Sequence, residues 1–291
     1  MPSTSADTSN VIGTLGQTYW RENFPGSRVK EKEEGGFSDF FPCSPFRSEH
    51  LTTPDTMTNA PDIPYSLVIP AYNEENRIRP LFDTLDRFSG ELIIVCDGTD
   101  GTARVVNEIA RMRTDLAIRC LTFDHRLGKG GGVIAGLAAA RAPLVGFFDA
   151  DGSTTMSEMM RLFSCLANND GAIGSRWVAG STLTVRQGIL RRLESRSFNL
   201  LIRCLFGLDF HDTQCGAKVF RKTAIDRILP AMASRGFEFD VELLWRLHRA
   251  GFRVVEVPIE WQNKGDSHVR KRDMLRMVRD LFRVRLGLVR A

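Results

Sequence analysis

The amino-acid sequence predicts an α/β fold in which a mostly parallel sheet is flanked by helices. Short apolar runs bounded by turn residues, such as residues 144 to 148, are typical of buried strands. Amphipathic segments of helical length separate these runs, so each helix follows a strand at the spacing of β-α-β units. A chain of 291 residues with ordinary apolar and charged fractions can bury the core of one large domain.

The predicted elements alternate along the chain, and turn residues separate them. The predicted strands cover 65 to 70, 91 to 96, 117 to 121, 144 to 148, 172 to 174, part of 211 to 220, and 252 to 261. The predicted helices end near 88, 112, 141 and 168, and later ones cover 185 to 208, 237 to 251 and the chain from about 272 onward.

Acidic side chains follow the ends of the predicted strands. Asp149 and Asp151 follow the fourth strand, and Asp97 follows the second. Because the carboxyl ends of parallel strands share the sheet edge at which ligands bind, we expect all three at one site. Two carboxylates one residue apart can share Mg2+ or Mn2+, which prefer oxygen ligands and often keep phosphate oxygens among them. The alternatives are an acidic turn that caps the helix starting near Ser153, and a plain turn signal at Asp97.

A glycine-rich stretch, Leu127 to Gly132, opens the helix that ends near residue 141. It does not match the phosphate loop of nucleotide hydrolases, because Gly130 stands where that loop needs serine or threonine and Phe123 where it needs glycine. Its glycines would still let a diphosphate approach a helix N-terminus, with Lys129 as the counter-charge.

The chain divides into three parts by composition. Residues 1 to 60 are rich in Ser, Thr, Pro, Gly and Glu without sustained periodicity, so we expect a mostly disordered tail. Residues 61 to 270 form the predicted folded domain, and residues 271 to 291 a basic amphipathic helix.

Two arginine-rich amphipathic segments, 185 to 208 and 272 to 290, either pack on the domain or rest at a lipid surface. Their apolar positions for lipid contact are Phe198, Leu201, Ile202, Leu205 and Phe206 in the first, and Leu275, Val278, Phe282, Leu286 and Val289 in the second.

The sequence predicts neither a membrane crossing nor export. No apolar run approaches the roughly 18 to 20 residues that span a bilayer, and the N-terminus lacks a basic-then-apolar signal pattern. The six cysteines form no C-x-x-C pair, and several fall in predicted strands or helices, as expected of core residues in a reducing compartment. We therefore expect a cytoplasmic protein, peripheral on the cytosolic face of a membrane.

Eight short motifs occur together from about residue 64 onward. They are VIPAYNEE, VCDGTDGT, LGKGGGV, DADGS, GSRW, DTQCGAKVF, FEFDVELL and VPIEW. In this order and spacing they resemble family 2 glycosyltransferases of the polyprenyl-phosphate type, first dolichyl-phosphate glucosyltransferases and next dolichyl-phosphate mannosyltransferases. The resemblance implies a GT-A fold, a Rossmann-like and mostly parallel sheet flanked by helices that binds a nucleotide-sugar.

The resemblance assigns three sets of residues to substrates. The first surrounds the base and ribose of the nucleotide-sugar, the second brackets its diphosphate and the metal, and the third faces the acceptor phosphate. In this order the sets are Pro70, Tyr72, Glu74, Val95 and Asp97; Asp149, Ala150, Asp151 and Arg176; and Arg191 with Ser195, where Arg192 leaves the register open by one.

The sequence departs from the family pattern at three places. Cys96 replaces the first carboxylate of the paired Asp-Asp after the second strand, and Ser153 stands where the mannosyltransferase branch often has glutamine. The family's later Arg and Lys fall near Gln262 and His268, which leaves Lys264 or Arg270 as substitutes.

The implied reaction moves a hexose from UDP-glucose or GDP-mannose to a polyprenyl phosphate of the dolichyl type, with inversion to a β-linked product. The acceptor phosphate is ionised near neutral pH and needs no dedicated base. If a base takes part, the candidates are Asp240 and Glu238, for which helix capping is the alternative.

Two other functions compete with this reading. One is a soluble family 2 glycosyltransferase with a small-molecule or saccharide acceptor. The other is a non-catalytic module that binds a membrane surface or nucleic acid through the basic C-terminal helix. The presence of both Asp149 and Asp151 argues against the second, so we expect no nucleic-acid partner.

Overall fold

A computed structural model describes residues 24, 28–30, 63–85, 88–183, 189–262 and 271–288. Side chains are described throughout these ranges except at 28–30, 183, 189–197 and 271–275.

The described residues contain ten strands. They are β1 (Arg28–Lys30), β2 (Tyr65–Ala71), β3 (Glu91–Cys96), β4 (Ala117–Thr122), β5 (Leu144–Phe147), β6 (Gly171–Ser175), β7 (Thr182–Leu183), β8 (Lys218–Arg221), β9 (Val254–Pro258) and β10 (Glu260–Trp261). Eight of them form one sheet in the order β1-β4-β3-β2-β5-β8-β6-β9, and β7 pairs with β10 in a separate ribbon.

Helices cover both faces of this sheet. They are α1 (Arg79–Asp83), α2 (Thr102–Met112), α3 (Gly128–Ala139), α4 (Met156–Ser164), α5 (Ile189–Phe206), α6 (Lys222–Ile228), α7 (Phe239–Arg249) and α8 (Lys271–Arg285). Short 3-10 turns, Cys165–Ala167 and Leu229–Ala231, follow α4 and α6.

The strand order places a crevice at the middle of the sheet. The central strands β2, β3, β4 and β5 are parallel, as the sequence predicts. From β2 the chain first builds β3 and β4 on one side and then returns to β5 on the other side of β2. Ligands of open α/β sheets bind at the carboxyl ends of strands where the order reverses in this way. The mostly parallel sheet is confirmed, with β8 antiparallel to β5 and β6 as its exception among the central strands.

Side chains of alternate strand residues build one core on each face. In β2, Val68 belongs to the core under α3, whereas Leu67 and Ile69 belong to the core under α1, α2 and α4. All three are fully buried. Burial of each such side chain contributes about 1.5 to 3 kcal/mol, so the apolar strands that the sequence predicts also fix both faces of the sheet.

The first helix is shorter than predicted. The sequence predicts a helix to about residue 88, whereas α1 ends at Asp83. The Thr84 hydroxyl donates to the Leu81 carbonyl at 2.7 Å, and the Thr84 N–H donates to the same carbonyl at 3.0 Å. Side chains that bond the backbone in this way offer it an alternative to the helix, which explains the early end.

Part of the predicted N-terminal tail belongs to the folded domain. β1 pairs antiparallel with β4 at the sheet edge. Phe24 is only 6% exposed and packs edge-on against Phe123, with ring centroids 5.9 Å apart. The prediction that residues 1 to 60 lie outside the domain is therefore wrong for these residues, because an open sheet edge and an apolar surface are available to them. The other residues of this segment lie outside the described part of the chain.

The two arginine-rich helices differ in which of their predicted apolar positions the domain covers. α5 buries Phe198, Ile202 and Phe206 in the core and exposes Leu200. α8 buries an apolar stripe different from the one predicted to contact lipid, and it exposes two positions of the predicted stripe. The buried stripe is Met277, Leu281 and Val284, and the exposed positions are Phe282 and Leu286.

The 3.6-residue periodicity predicts an apolar stripe on each helix without saying whether the domain covers that stripe, so the sequence left both alternatives open. The side chain of Leu275 and all of Val289 lie outside the described part of the chain. Among the described helices, none combines the length and the apolar character that a bilayer crossing requires.

Candidate active site

The carboxyl ends of β2, β3 and β5 bring the predicted site residues to one edge of the sheet. Tyr72 follows β2, Asp97 follows β3, and Asp149 and Asp151 lie just after β5. Their placement comes from parallel pairing, since β2 is hydrogen-bonded to both β3 and β5. The shared edge that the sequence predicts for the carboxylates is therefore present.

Asp149 forms an ion pair with Lys129 of α3. The distance from Lys129 Nζ to Asp149 Oδ1 is 2.8 Å, and the two side chains are 20% and 36% exposed. Burial alone would raise the pKa of Asp149, but Lys129, with further cations at Lys218 and Arg176, holds this pKa below its ordinary value of 3.8. Asp149 is therefore a carboxylate at neutral pH.

Asp151 is the exposed member of the acidic pair. Its Oδ1 accepts a hydrogen bond from the Ser153 N–H at 2.8 Å, and Gly152 between them has a φ of +67°, a conformation that favours glycine. This local turn leaves the Asp151 carboxylate exposed at the carboxyl edge of the sheet. Ala150, which precedes it, is 9% exposed and can offer mainly its backbone.

The two carboxylates have the right chemistry to bind a hard divalent cation, but by themselves they supply too few ligands for it. Asp149 and Asp151 would supply oxygen ligands of the kind that Mg2+ and Mn2+ prefer. Across the described residues, no group of three or more His, Cys, Asp or Glu side chains is arranged to hold a metal ion. A cation at this site would thus depend on further oxygens, and a diphosphate is a natural source of them.

Four backbone N–H groups at the start of α3 are engaged inside the protein, which weighs against the expected diphosphate site there. Asp97 Oδ2 accepts from the Leu127 N–H at 2.9 Å and the Gly128 N–H at 3.1 Å. The Gly130 and Gly131 N–H groups donate to the carbonyls of residues 236 and 235 at 3.2 and 3.0 Å. With these donors engaged inside the protein, the side chain of Lys129 remains as the contribution of this stretch to the site.

Close packing explains the glycines of α3. A Cβ atom at Gly130 would lie 2.5 Å from Phe239 Cβ and 2.7 Å from the Gly236 carbonyl oxygen. A Cβ at Gly136 would lie 2.2 Å from a methyl of Val68 in β2. The glycine-rich motif therefore lets α3 lie directly on the sheet and on the start of α7, rather than on a phosphate.

Asp97 itself faces the protein and not the crevice. It is 7% exposed, and burial raises the pKa of its carboxyl group against the opposing effect of the two N–H donors and Arg126. The role expected for Asp97 at the donor ribose is thus accompanied by a structural role, because this carboxylate caps the first turn of α3.

The remaining residues expected around the nucleotide differ in exposure. Pro70 pairs with Val95 across β2 and β3, and Val95 is fully buried, so its side chain does not reach the crevice. Tyr72 is 42% exposed and carries the Arg126 guanidinium 4.1 Å from its ring centroid. Glu74 is bound to Arg77 through both carboxylate oxygens, at 2.9 and 3.0 Å.

Arg176 is held by a carboxylate that the sequence analysis did not consider. Its Nε and Nη2 donate to the two oxygens of Asp212 at 2.7 and 2.8 Å. The Arg176 guanidinium carbon also lies over the Trp261 ring, 5.5 Å from the ring centroid. Asp212 is fully buried, and its own N–H donates to Glu256 at 2.7 Å. Burial would lower the pKa of Arg176, but Asp212 raises it, so the guanidinium is a fixed positive charge.

Asp240 lies in the first turn of α7 and is bound to Lys218, a residue that the sequence analysis missed. Lys218 is fully buried, and its ammonium donates to Asp240 and to the Cys215 carbonyl. Burial raises the pKa of Asp240, with Lys218 and Lys129 opposing this effect. Asp240 is only 2% exposed, so the expected role as a general base is contradicted by its lack of access. The other candidate, Glu238, bonds the Gly236 N–H at 2.9 Å.

Two signals in the sequence could have found the missed residues. Asp212 and Lys218 both belong to the motif DTQCGAKVF, in which they are the only charged residues. The position of Lys218 among apolar residues of a predicted strand also indicates a buried cation, and a buried cation needs a carboxylate partner.

The side chains of the expected acceptor residues lie outside the described part of the chain. The backbone of Arg191 and Ser195 is in α5, but their side chains are not described. Lys264, His268 and Arg270 are likewise outside it. The last described residue before them, Gln262, donates its N–H to the Ser153 carbonyl at 3.0 Å, which brings the chain back beside the acidic turn.

Comparison with known proteins identifies relatives across most of the chain. The profile described as Glycosyl transferase family 2 matches residues 66–229, more than half of the 291 residues. Glycosyltransferase AglD of Haloferax volcanii is 34% identical over 236 residues, which cover 77% of this chain and 37% of AglD. The chain thus spans little more than a third of that relative.

Two further relatives are matched over more of their own length. Dolichyl-phosphate beta-glucosyltransferase ALG5C of Trichomonas vaginalis is 32% identical over 259 residues, or 83% of this chain and 76% of that protein. Polyprenol monophosphomannose synthase of Mycolicibacterium smegmatis is 34% identical over 208 residues, or 68% of this chain and 77% of that protein.

The fold is also that of solved glycosyltransferases. The crystal structure of glucosyl-3-phosphoglycerate synthase from Mycobacterium tuberculosis, in complex with Mn2+, uridine diphosphate and glucosyl-3-phosphoglycerate, superposes with a TM-score of 0.56 at 18% identity. The match covers 77% of this chain and 79% of that one. With a GT-A sheet, an acidic turn at its switch point and these relatives, the chain belongs to glycosyltransferase family 2 and is a glycosyltransferase.

Proposed function

We propose that the protein transfers a hexose from a nucleotide-sugar to a polyprenyl phosphate, with inversion at the sugar carbon to give a β-linked lipid phosphate. The observation that carries this proposal is a cluster of charges at one sheet edge: Asp149 and Asp151 follow β5, and Lys129 pairs with Asp149. Arg176, held by Asp212, adds a positive charge that acts on Asp149 from farther away. Such a site suits two anionic substrates, a diphosphate and a phosphate. The relatives named for dolichyl or polyprenol phosphate supply the acceptor class.

On the donor side, Asp149 and Asp151 would hold Mg2+ or Mn2+ against the diphosphate. The metal would stabilise the charge that develops on the leaving nucleoside diphosphate. Lys129 adds a positive charge beside Asp149, and the exposed ring of Tyr72 is available to the base. UDP-glucose is the proposed donor, because relatives named for β-glucosyl transfer to dolichyl phosphate match most of this chain.

A second donor, GDP-mannose, is favoured by the polyprenol monophosphomannose synthase relative. The residues expected at the base do not separate the two nucleotides, since the Val95 side chain is fully buried and the half-buried Pro70 has no polar side-chain group. A direct competition between the donors therefore belongs in the test.

On the acceptor side, the protein needs to supply position and charge rather than a base. A phosphate monoester is ionised near neutral pH and can attack the anomeric carbon directly. The burial of Asp240 in a pair with Lys218 is consistent with this route. Arg191 is the proposed partner of the acceptor phosphate, and Arg176, fixed by Asp212, would attract both anions to the crevice.

The acceptor also requires contact with a membrane surface, and α8 offers one. Phe282, Leu286 and Leu288 are 42%, 67% and 63% exposed, while Arg279 and Arg283 of the same helix are more than half exposed. Each basic side chain near an anionic surface contributes about 1 kcal/mol to binding, so this helix could hold the protein at a membrane reversibly. The proposed location is the cytosolic face of a membrane.

The function is tested with purified protein, a panel of nucleotide-sugars and dolichyl phosphate in detergent. We expect a glucosyl lipid phosphate that forms only with a divalent cation, and no product when the lipid is a free alcohol. Transfer to a soluble phosphate or saccharide with none to lipid would instead support the soluble family 2 enzyme. Arg191→Ala should raise the apparent KM for the lipid phosphate far more than that for the nucleotide-sugar.

The proposed binding of α8 to a membrane is tested by sedimentation of the protein with liposomes that contain anionic lipid. Binding of the wild-type protein should fall as salt rises, and the double variant Phe282→Ser/Leu286→Ser should bind several-fold less, because both the apolar and the electrostatic contributions are needed. Met112→Ser is the matched control, since Met112 is 66% exposed at the end of α2 on the other face of the sheet. Equal binding by the double variant and the control would remove α8 from the proposal.

A further inference from the structure

Lys129 contacts the proposed metal site through a single carboxylate. Its ammonium lies 2.8 Å from Asp149 Oδ1. Its backbone is fixed, because hydrogen bonds hold the residues on either side of it to Asp97 and to residues 235 and 236. The long side chain is 20% exposed and borders the Phe237 ring, 6.0 Å from its centroid. Only the side chain of Lys129 is therefore in a position to move.

Asp149, in contrast, is held against the backbone. A Cβ atom at Gly216 would lie 2.1 Å from Asp149 Oδ2 and 3.0 Å from Oδ1, so the carboxylate rests directly on this glycine. The oxygen nearer to Gly216 is Oδ2, and Oδ1 is the one that Lys129 binds. The nearby carboxylate of Asp240 is already bound by Lys218. Lys129 thus neutralises the one carboxylate of this cluster that a divalent cation would need together with Asp151.

We propose that Lys129 is an exchangeable counter-ion that couples metal binding to nucleotide binding. It pairs with Asp149 before the donor binds, and it moves to the donor diphosphate when a divalent cation takes its place at Asp149. This inference rests on the proposed use of Asp149 and Asp151 for a metal and a diphosphate. A cation without nucleotide must approach Asp149 against the charge of Lys129, whereas the diphosphate supplies negative charge to both.

The proposal has a thermodynamic consequence. If nucleotide binding draws Lys129 away from Asp149, a nucleoside diphosphate must raise the affinity for the cation, and the cation must raise the affinity for the nucleotide by the same factor. Removal of the lysine charge should weaken this coupling from both directions: the cation binds better alone, and the diphosphate loses one favourable contact.

The experiment measures Mn2+ binding to the full-length protein by electron paramagnetic resonance, with and without UDP. We expect Lys129→Gln to bind Mn2+ without nucleotide about tenfold more tightly than the wild type, because one cationic neighbour has been removed. UDP should raise the Mn2+ affinity of the wild type strongly and that of Lys129→Gln much less. Lys129→Arg keeps the charge and should keep the wild-type coupling.

Lys222→Gln is the matched control. Lys222 also pairs with an aspartate, Asp226, but it lies at the opposite end of β5, where its N–H donates to the Pro143 carbonyl. Its Mn2+ and UDP binding should equal those of the wild type. Lys129→Met serves as a second neutral variant, and thermal melts confirm that each variant is folded.

Two failures can be told apart. If the wild type binds Mn2+ and UDP together but the two neutral variants bind Mn2+ alone no better than the wild type, the exchange is overturned while the proposed function stands. If the wild type binds neither UDP nor Mn2+ under any condition, the proposed donor site itself is wrong.

Discussion

Two lysine–aspartate pairs lie near one another at the carboxyl edge of the sheet and differ in their access to solvent. The side chains of Lys218 and Asp240 are 0% and 3% exposed, and the lysine has a second acceptor in a backbone carbonyl. Lys129 and Asp149 are 20% and 36% exposed, and the lysine is paired with the carboxylate alone among its described hydrogen-bond acceptors. The same two residue types thus build a closed pair and an open pair.

The difference shows what each pair can do. A buried ion pair is held together because separating its members would leave an uncompensated charge in the core. A partly exposed pair loses little when its partners separate, because water and other ions can replace each of them. The closed pair is therefore suited to fixing the start of α7, and the open pair to exchange with ligands.

The largest expected effect comes from breaking the closed pair. Lys218→Met should lower the free energy of unfolding by about 3 to 5 kcal/mol, because Asp240 would be left buried without its partner. Urea unfolding followed by circular dichroism measures this. Lys222→Met, which breaks the less deeply buried pair with Asp226, should lower the free energy of unfolding clearly less. The double variant Lys218→Met/Asp240→Asn should recover part of the loss, and a single-variant cost below about 1 kcal/mol would contradict the comparison.

The next effect concerns the open cluster and appears in activity instead of stability. Asp151→Asn is nearly isosteric and removes an exposed charge, so its melting temperature should stay close to that of the wild type. Sugar transfer should fall by about 100- to 1,000-fold, because one oxygen ligand of the proposed cation becomes neutral. Steady-state transfer assays over a range of Mg2+ concentrations measure this. Unchanged metal-dependent turnover would remove Asp151 from the metal site.

The smallest effect is a difference in pH dependence between the two carboxylates. The pKa of Asp149 is lowered from 3.8, so its contribution to stability is present above this value and is lost as pH falls through the folded-state pKa. The pKa of Asp240 is raised from 3.8, so its contribution is present below this value and is lost as pH rises through the folded-state pKa.

Asp149→Asn and Asp240→Asn should therefore differ in urea unfolding between about pH 4 and pH 7, in buffer with a chelator. The cost of Asp149→Asn should stay constant over this range, and the cost of Asp240→Asn should decline as pH rises. If the cost in unfolding free energy changed with pH in the same way for both variants, the predicted difference between the closed and the open pair would be contradicted.

The sequence predicts the sheet well because its signal is local. Apolar runs such as those of β2, β3 and β5 are read from their own residues, and parallel strands with intervening helices restrict how they can be connected. The end of α1 and the packing of Phe24 escape this reasoning. Thr84 ends the helix through a hydrogen bond that competes with it, and Phe24 finds its partners about a hundred residues away.

The site is predicted in outline and corrected in detail. Asp149, Asp151 and Lys129 lie together as the motifs indicate, since each follows or opens an element at the same sheet edge. The sequence predicts a diphosphate at the glycine-rich start of α3, but four of the N–H donors there are engaged by Asp97 and by the residues before α7. No local pattern marks this, because the acceptors are far away in sequence.

The sequence by itself determined the fold class, the family and the position of the acidic turn after β5, because hydrophobic periodicity and turn chemistry are properties of neighbouring residues. Tertiary structure alone decided which charges are paired and which apolar stripes of α5 and α8 are covered. Charge pairs such as Arg176 with Asp212 and Lys218 with Asp240 join residues 36 and 22 positions apart. Burial, which makes one lysine–aspartate pair closed and the other open, exists only once those distant segments have packed together.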